Sequence, residues 1–475
     1  MSLGKSALWA TLGNWIQQGF SLVTILVLAR LLEPASFGVM ATALLLVLLG
    51  QRILLEGISY FVVQLDETND KVLSTAFWSA AVLGLITAGS LFLFADFIAS
   101  SFNMAQLADV LPFLAVIPML EALAAVHIGL LRREAKFRQL ATRTLFSGTL
   151  GCFAGITVAL LGGGIYALVV QQVVQSIGNC VAALVSHQWR PQASFNRDSA
   201  RNLLQFSLPM GGNAIVYVGL NRMDIVLLGG FAGPTATGVY SMAKRLARAI
   251  TDLLVTGVST ASLTKLSVAK SDPQRMEQAL MNSLRLASLL AFPAFALLGY
   301  FGPVLLPSIL GTNWSSVGES LSVLCLFGVV QVPVLVGSNV FVALGQTSRL
   351  AFQSMASLLV FLTAALLLRP INESNIALAF LIQGVAAATI FAFQLRATGQ
   401  SPGRVFSSVI GAAGATVVAL LATWAFSKLP STAMTPLFIY PMQVLLFVTV
   451  YLGVSFVSSR SEVANILNRF RSGIQ

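Results

Sequence analysis

Residues 229–265 read GGFAGPTATGVYSMAKRLARAITDLLVTGVSTASLTK, and this stretch decides how the rest of the chain is interpreted. It has the length and apolar character of a membrane-crossing helix, yet its middle carries Lys244, Arg245, Arg248 and Asp252. A cation at the centre of a bilayer-spanning helix costs roughly 2.5 to 3.5 kcal/mol on insertion scales. Three cations together therefore predict that this side of the helix faces water, a counter-ion or an anionic ligand.

The composition around that stretch is that of a polytopic membrane protein. Hydrophobic residues make up 56% of the 475 residues and charged residues 9%, with a mean hydropathy of +0.84. A soluble domain is about one quarter charged. Each crossing needs about 20 apolar residues, and the runs lack the period-two alternation of a barrel. We predict an all-α integral membrane protein with about 14 transmembrane helices. The predicted spans are 8–30, 37–64, 74–95, 109–130, 144–161, 165–186, 204–231, 236–263, 283–301, 317–343, 350–368, 375–395, 405–427 and 436–457.

The basic residues predict how these spans are oriented. Most of the 28 Lys and Arg residues fall in short loops on the side of the N-terminus, whereas Arg30, Arg369 and Lys428 fall on the other side. By the positive-inside rule, both termini are then cytoplasmic. Loop residues such as Arg132, Arg133, Lys136, Arg138 and Arg143 account for much of the net charge of +11. We therefore read the basic pI as topology, and expect no nucleic-acid partner.

An internal repeat appears when the sequence is shifted by 200 residues. Residues 27–59 and 227–259 then align without a gap, including Pro34 with Pro234 and Gly38 with Gly238. The second copy lies six spans after the first, an even number, so both copies have the same orientation. Parallel repeats of this kind are typical of transporters whose substrate site lies between the halves. We predict two pseudo-symmetric six-helix lobes, residues 1–190 and 200–395, with residues 396–475 forming a C-terminal helix pair and a cytoplasmic tail.

Polar residues recur at helical spacing inside four of the spans, on equivalent helices of the two predicted lobes. Residues three and four apart share one face of a helix, and we predict that these faces wall a hydrated cavity. Five cations against three carboxylates favour an anionic ligand, and the arginine fork suits phosphate oxygens. Structural ion pairs between helices are the alternative. The predicted cavity residues are Asn14, Gln18, Arg52, Glu56, Asn213, Tyr217, Arg222, Asp224, Lys244, Arg245, Arg248 and Asp252.

Other polar groups inside the spans have two interpretations. Glu121 and His127, in the fourth span, are candidates for a proton relay, the alternative for His127 being a packed, hydrogen-bonded ring. Gln171, Gln172, Gln175 and Asn179 form a stripe along the sixth span that is typical of hydrogen bonding between helices. The chain has no phosphate-binding Gly-rich loop and no zinc-ligand spacing. We expect neither an enzyme nor a bound cofactor or metal. Transport would draw on an ion gradient, on the substrate gradient or on consumption of the substrate on the far side.

Three stretches resemble a known family. They are Leu28-Ala-Arg-Leu-Leu-Glu-Pro-Ala-Ser-Phe-Gly-Val-Met, Asn221-Arg-Met-Asp-Ile-Val-Leu-Leu-Gly-Gly-Phe running into Gly238-Val-Tyr-Ser-Met-Ala, and Gly311-Thr-Asn-Trp with Leu344-Gly-Gln. In this order they resemble the polysaccharide-transporter branch, the Wzx-type flippases, of the multidrug, oligosaccharidyl-lipid and polysaccharide exporter superfamily. The similarity covers most of the chain and agrees with the repeat.

The resemblance implies a flippase that moves an undecaprenyl-pyrophosphate-linked oligosaccharide across the bacterial inner membrane by alternating access. It implies two lobes around a cationic cavity, a groove for the lipid tail at the last two helices, and a polysaccharide polymerase and chain-length regulator as partners. Carried over by position, Arg30, Arg52, Arg222, Lys244, Arg245 and Arg248 are candidates for the anionic headgroup. A lipid II flippase, a drug or cation antiporter of the same superfamily, and a non-transporting scaffold of a polysaccharide-assembly complex are the alternatives.

Overall fold

The structure, a computed structural model, describes residues 18–54, 56–65, 69–428 and 436–458. Side chains are described throughout these ranges except at residues 52–54, 56, 208–217, 220, 436–438 and 458. The described residues form helices joined by short turns, and there is no β-strand among them. The predicted all-α fold is confirmed.

The helices follow one another with short connections. A π-helical turn, Thr251–Val255, joins α11 to α12, and a 3₁₀ turn, Thr312–Trp314, precedes α14. The α-helices are α1 (Gln18–Leu31), α2 (Pro34–Leu54), α3 (Glu56–Gln64), α4 (Asp70–Leu93), α5 (Ala95–Ser101), α6 (Ala105–Leu114), α7 (Val116–Arg133), α8 (Phe137–Leu160), α9 (Tyr166–Ser186), α10 (Arg197–Phe231), α11 (Gly233–Ile250), α12 (Thr256–Val268), α13 (Pro273–Leu310), α14 (Val317–Gly337), α15 (Asn339–Ala343), α16 (Thr347–Leu367), α17 (Glu373–Arg396), α18 (Pro402–Ser427) and α19 (Pro436–Ser458).

The described residues of each predicted span lie on one helix or on two consecutive helices, with the π-helical turn inside the span 236–263, and residues 8–17 of the first span lie outside the described residues. Among the described residues, 11 stretches are long and apolar enough to cross a membrane. The described part of α1 is shorter than a full crossing, and α10 and α11 with α12 are more polar than the eleven. A multi-pass membrane protein is therefore supported, while the count of fourteen crossings stays a prediction.

Some helix boundaries differ from the predicted ones. The fourth span is two helices, α6 and α7, that meet at Ala115, between Pro112 and Pro118. Proline lacks the backbone N–H that continues a helical ladder, so breaks are expected near such residues. At its start, α13 extends ten residues beyond the predicted span, to Pro273. Hydropathy could not predict this extension because the added turns are polar.

The backbone contacts divide the chain into two compact units. Unit 1 comprises Met1–Ala243, Leu306–Val317 and Leu368–Ile376, and unit 2 comprises Lys244–Leu305, Gly318–Leu367 and Ala377–Gln475. The division passes through α11, between Ala243 and Lys244. The boundaries of the two predicted lobes, at residues 190 and 200, stay a prediction.

In unit 1, the core lies between α3, α4, α7 and α10. Ile58, Phe77, Val126 and Leu203 are among its buried side chains. The segment between α9 and α10 packs on the start of α4 through a series of hydrogen bonds. They run from Trp78 Nε1 to the Gln192 carbonyl (2.9 Å), from Gln192 N to Ser74 Oγ (3.0 Å) and from Asn196 N to Thr75 Oγ1 (3.0 Å). The segment between the two predicted lobes is thus ordered within unit 1.

The turn between α7 and α8 is tied to the end of α9 by charge. Glu134 lies 2.6 Å from the Lys136 ammonium and 3.1 Å from His187 Nε2. The hydrogen bond from Lys136, followed by that with His187, lowers the pKa of the Glu134 carboxyl below its usual value. Both sides of this contact are predicted to lie in cytoplasmic loops, where an exposed ion pair contributes little to stability.

In unit 2, α18 and α19 pack on α13. Their buried cluster contains Ala415, Ala419, Phe447 and Tyr451. The Tyr451 hydroxyl donates a hydrogen bond to the Leu289 carbonyl at 2.7 Å. At the start of α18, Arg404 Nε lies 3.1 Å from the Glu277 carboxylate of α13. The early turns of α13 therefore anchor the C-terminal helix pair.

The two copies of the repeat meet at the starts of α2 and α11, within unit 1. A methyl group added at Gly38 would overlap the Pro234 carbonyl, and one added at Gly238 would overlap the Pro34 carbonyl. The contact is thus reciprocal, with the glycine of each copy against the proline carbonyl of the other. Small residues at such a position let two helix backbones approach closely.

Candidate functional site

The most basic part of the predicted site is the segment Lys244–Asp252, here called the basic segment, in unit 2. It begins eleven residues after the start of α11 at Gly233, so Lys244 lies about 16 Å along the helix, at 1.5 Å per residue. Lys244 is half-buried, with its Nζ 4.7 Å from the centroid of the Phe380 ring, while Arg245 and Arg248 are exposed. A cation over an aromatic face gains roughly 0.5 to 2 kcal/mol. The aromatic ring of α17 thus helps to hold Lys244 in place.

The basic segment ends on the π-helical turn, which carries Asp252. Asp252 is half-buried and interacts electrostatically with Arg248 one turn earlier. A π turn inserts one extra residue into an α-helix, and such turns are frequent at functional sites. The Thr256 hydroxyl donates to the Thr251 carbonyl at 3.2 Å within this irregular part of the helix. The predicted pairing of Arg248 with Asp252 is therefore local to the helix and leaves Lys244 and Arg245 outside that pair.

A second polar site lies inside unit 1, where α2, α7, α9 and α10 surround a cavity of about 260 Å³. We call it the amide cavity, because carboxamide side chains supply most of its polar groups. The Asn179 Oδ1 atom is buried and has no hydrogen-bond partner among the described residues. The cavity is lined by Leu44, Val47, Leu48, Gln51, Ile117, Glu121, Gln172, Gln175, Ser176, Asn179 and Arg222.

Two groups predicted for different roles meet at this cavity. Glu121, a candidate for a proton relay, and Arg222, a candidate for headgroup binding, both line it. The stripe on α9 faces the same space through Gln172 and Asn179, while Gln171 points to α8, where its Nε2 lies 3.8 Å from Cys152 Sγ. Part of the stripe that we interpreted as helix-to-helix hydrogen bonding therefore lines a cavity.

Arg143 is a residue whose position the sequence interpretation missed. We assigned it to a cytoplasmic loop, but it lies inside α8, more than one turn from the start of the helix. It is half-buried and interacts electrostatically with Glu121. Its Nε and Nη1 atoms are buried and have no hydrogen-bond partner among the described residues. Arg143 lies four residues before Ser147, which packs against Gly178 of α9 in the structure, and no sequence signal separated it from the neighbouring loop cations.

Asp224 was predicted as a charge partner of the cavity cations, and it does not line the amide cavity. It lies two residues from Arg222, a separation that puts the two side chains on different faces of a helix. Asp224 is fully buried, and so is Tyr240 of α11, with which it interacts. Within unit 1, Arg222 therefore lines the amide cavity while Asp224 joins α10 to α11.

His127 and Glu121 occupy different surroundings on α7. The His127 ring is fully buried, its Nε2 lies 3.3 Å from the Trp189 carbonyl, and the Phe77 and Trp189 rings pack around it. Glu121 lines the amide cavity. The structure does not bring the two groups into one site, and their role in a relay stays a prediction.

Arg30 lies at the C-terminal end of α1, where a second cavity of about 590 Å³ opens between that end and the turn after α13. The Arg30 side chain is exposed. In this turn, the Trp314 indole donates a buried hydrogen bond of 2.8 Å to the Ala29 carbonyl. Arg30 thus belongs to a polar surface within unit 1 at the predicted periplasmic end.

For the remaining predicted site residues, the structure describes the position or the side chain only in part. Gln18 is half-buried near the start of the described part of α1. Asn14 lies outside the described residues, and the side chains of Arg52, Glu56, Asn213 and Tyr217 are not among those described. Within the described part of the chain, no group of three or more His, Cys, Asp or Glu side chains is placed to hold a metal ion.

Comparison with curated proteins gives relatives of one kind. The chain is 28% identical over 320 residues to the succinoglycan biosynthesis transport protein ExoT of Rhizobium meliloti (strain 1021), a match that covers 67% of this chain and 64% of ExoT. The chain therefore spans a little less than two thirds of that relative's length. It is 20% identical over 333 residues to the lipopolysaccharide biosynthesis protein WzxC of Escherichia coli (strain K12), covering 69% of this chain and 67% of WzxC.

Among solved structures, the fold is similar to that of the lipid II flippase MurJ in an inward closed conformation. The TM-score is 0.75 at 13% sequence identity, and the match covers 97% of this chain and 99% of that chain. At this identity the likeness shows the fold and carries no statement about substrate. A family model described as "Polysaccharide biosynthesis protein" matches residues 27–319, more than half of the chain. The chain belongs to this family of polysaccharide biosynthesis proteins.

Proposed function

We propose that this protein is a flippase that moves a polyprenyl-pyrophosphate-linked oligosaccharide across the bacterial inner membrane, for assembly of an extracellular or cell-surface polysaccharide. It works by alternating access and catalyses no reaction of its own. The observation that carries this proposal is the depth of the basic segment. Lys244 to Asp252 lie about 16 to 28 Å along the continuous helical stretch from Gly233 to Val268, which is about 54 Å long. The basic segment therefore lies near the middle of a stretch that is longer than a hydrocarbon core about 30 Å thick.

The charges at this depth fit a diphosphate. Lys244, Arg245 and Arg248 bring three cations against the single carboxylate of Asp252 in the basic segment. Keeping cations at that depth is costly unless they meet water or an anion. A guanidinium can donate two parallel hydrogen bonds to phosphate oxygens, and Arg245 and Arg248 are exposed. The segment would neutralise the headgroup while the polyprenyl tail remains in lipid.

The relatives support this substrate class. ExoT is named as a transport protein of succinoglycan biosynthesis, and WzxC as a lipopolysaccharide biosynthesis protein. A drug or cation antiporter would require an excess of carboxylates, which is the reverse of the charge of the basic segment. A scaffold would have no use for cations at mid-depth. The flipped unit would then be consumed by a polymerase on the far side, which keeps the gradient directed outward.

The experiment compares two triple variants in proteoliposomes loaded with a fluorescent polyprenyl diphosphate that carries the strain's own repeat unit. The test variant is Lys244→Gln with Arg245→Gln and Arg248→Gln. The control is Lys265→Gln with Lys270→Gln and Arg275→Gln, which removes the same charge from exposed positions of unit 2. We expect at least a tenfold loss of translocation for the test variant and less than a twofold loss for the control.

Two results would overturn the proposal. Wild-type rates in the test variant would show that the basic segment does not bind the headgroup. An absence of translocation by the wild-type protein, under conditions in which it is folded and inserted, would reject the flippase itself. A second probe, lipid II, tests the rival substrate: faster translocation of lipid II than of the repeat-unit lipid would favour the activity named for MurJ.

A further inference from the structure

The amide cavity of unit 1 has a chemistry different from that of the basic segment. Its polar lining consists mainly of carboxamides, from Gln51 of α2 and from Gln172, Gln175 and Asn179 of α9. We propose that this cavity binds one sugar ring of the lipid-linked glycan and so selects which repeat unit is transported. This inference rests on the proposed flippase function.

Hydrogen-bonding capacity is the first argument. Each carboxamide offers two donor N–H groups and an acceptor oxygen, and each sugar hydroxyl also donates and accepts. Diphosphate oxygens at neutral pH accept hydrogen bonds but donate none, so the oxygen atom of each carboxamide would find no donor on a diphosphate. The lining therefore matches a polyol better than it matches an anion.

The charged groups of the cavity also favour a sugar over a diphosphate. Glu121 and Arg222 bring one carboxylate and one guanidinium to the cavity walls. A carboxylate facing a diphosphate would repel it, whereas carboxylates and guanidinium groups both form hydrogen bonds with hydroxyls. The basic segment has three cations for one carboxylate and is the better diphosphate site. The basic segment would therefore bind the diphosphate of the substrate, and the amide cavity would bind its sugar.

Size and shape restrict the ligand further. The cavity volume of about 260 Å³ equals roughly nine times the 30 Å³ that a water molecule occupies in the liquid. This space accommodates one six-membered sugar ring and excludes a whole repeat unit. Leu44, Leu48 and Ile117 form apolar walls against which the C–H face of a sugar ring packs. Sites for small molecules typically combine apolar walls with a few polar groups that fix orientation.

The polar groups of the cavity are held in position before a ligand arrives. Gln172, Gln175 and Asn179 lie at i, i+3 and i+7 of α9, so they share one face of a helix that packs closely against α8. Behind Glu121, Arg143 supplies an interacting cation. The Asn179 Oδ1 atom is buried and has no hydrogen-bond partner among the described residues. A buried acceptor of this kind costs about 1 to 3 kcal/mol, and a sugar hydroxyl would satisfy it.

Two neighbouring glutamines provide a matched test. Gln172→Leu removes an amide from the cavity, while Gln171→Leu removes the adjacent amide, which faces Cys152 of α8. Two probes are used: a polyprenyl diphosphate that carries the strain's own repeat unit, and the same lipid diphosphate without sugar. A double variant, Gln51→Leu with Gln172→Leu, removes amides from two helices. Gln172→Ala replaces Gln172→Leu if the larger apolar side chain impairs folding.

We expect the wild-type protein to translocate the sugar-bearing probe at least tenfold faster than the bare diphosphate. Gln172→Leu should reduce that preference about fivefold and the double variant should abolish it, with the rate for the bare probe unchanged. Gln171→Leu should keep the wild-type preference. By contrast, the triple variant of the basic segment should slow both probes equally.

Each opposite outcome has a separate meaning. If the wild-type protein moves both probes at the same rate, or if Gln172→Leu and Gln171→Leu behave alike, the sugar assignment of the cavity is wrong while the flippase function stands. If the wild-type protein moves neither probe, the proposed function itself fails. A loss of both probes in a folded Gln172→Leu variant would place the headgroup at the cavity and would also overturn this inference.

Discussion

The two copies of the repeated segment are alike at one end and different at the other. At the starts of α2 and α11, Gly38 and Gly238 make the same close contact, each against the proline carbonyl of the other copy. One turn further on, Ala43 and Ala243 are both fully buried. Several of the identities between the copies therefore lie where the two copies meet.

Nineteen residues after those glycines, the copies diverge. A methyl group at Gly57 would lie 2.8 Å from Ser207 Cβ, whereas Gly257 has no atom within 4 Å of that position. The second copy also contains the π-helical turn and the basic segment between Lys244 and Asp252. The shared sequence thus preserves a packing contact, while the part that differs carries the predicted chemistry.

The largest expected effect tests the shared end. Gly38→Ala should destabilise the protein by about 3 kcal/mol or more, because the added methyl group meets a backbone carbonyl that side-chain rotation cannot move. If the contact must open and close during transport, the variant should also lose most translocation. Thermal unfolding in detergent and the proteoliposome assay measure the two effects.

The control for Gly38→Ala is its partner in the other copy. Since the contact is reciprocal, Gly238→Ala should cause a loss of similar size, and the double variant should cost less than the sum of the two, because they disrupt one shared contact. Additive losses would contradict a single contact and would show that each glycine packs independently.

The next prediction sharpens the contrast at the other end. Gly57→Ala should destabilise by about 1 to 2 kcal/mol, because Ser207 Cα and Cβ both lie within 3 Å of the new methyl group. Gly257→Ala should be neutral or stabilise by up to roughly 1 kcal/mol, since alanine is the better helix former and the space is open. The measurement is the shift in unfolding temperature. Equal shifts for the two variants would contradict the difference in packing around Gly57 and Gly257.

The sequence was sufficient to predict where the helices lie along the chain, but not which neighbouring helix each side chain contacts. The described part of every span predicted from hydropathy is helical, and the shift of 200 residues found two segments that touch through Gly38 and Gly238. The sequence could not show that these segments touch each other. An internal repeat indicates that two segments have similar structures, but it does not indicate how far apart they lie. Nor could the sequence separate Gln171 from Gln172, since neighbouring residues of one stripe face different helices.

Charged residues near the ends of spans were the hardest to place. Arg143 follows a run of loop cations, and the sequence alone gave no reason to separate it from them. In the structure it lies within α8 and interacts with Glu121 of α7, so the partner that explains it is distant in sequence. Similarly, the π-helical turn at Thr251–Val255 depends on packing and has no sequence signal that we recognise.

A contact present in the first copy tests how far the shared end is symmetric. Phe37 meets the Trp314 ring edge-on at 5.3 Å, while its counterpart Thr237 donates its hydroxyl hydrogen to the Gly233 carbonyl. Trp314→Phe should cost about 1 to 3 kcal/mol, because it leaves the buried Ala29 carbonyl without its indole donor. Trp424→Phe, at a half-exposed position, is the control and should change the unfolding temperature little.

The smallest expected effect compares equivalent turns after α7 and α15. In each, the third residue after the helix donates its N–H to the carbonyl five residues earlier, from Lys136 to Leu131 and from Gln346 to Phe341. The residue before it has a positive φ, +52° for Ala135 and +71° for Gly345. An L-residue pays roughly 1 to 2 kcal/mol in that left-handed conformation, and part of this is offset because glycine loses more entropy on folding.

The two substitutions should therefore have opposite signs. Ala135→Gly should stabilise by roughly 0.5 to 1 kcal/mol and Gly345→Ala should destabilise by about the same amount, with transport unchanged in both. Both positions are exposed, so side-chain packing does not obscure the backbone effect. Changes of the same sign in unfolding temperature would mean that these two turns are not equivalent. The structural similarity between the copies would then include the helices that contact Ser59 and Ser259 but not the turns that follow them. Opposite signs would extend it to the loops, since Arg132 of α7 donates to Ser59 and Asn339 of α15 donates to Ser259.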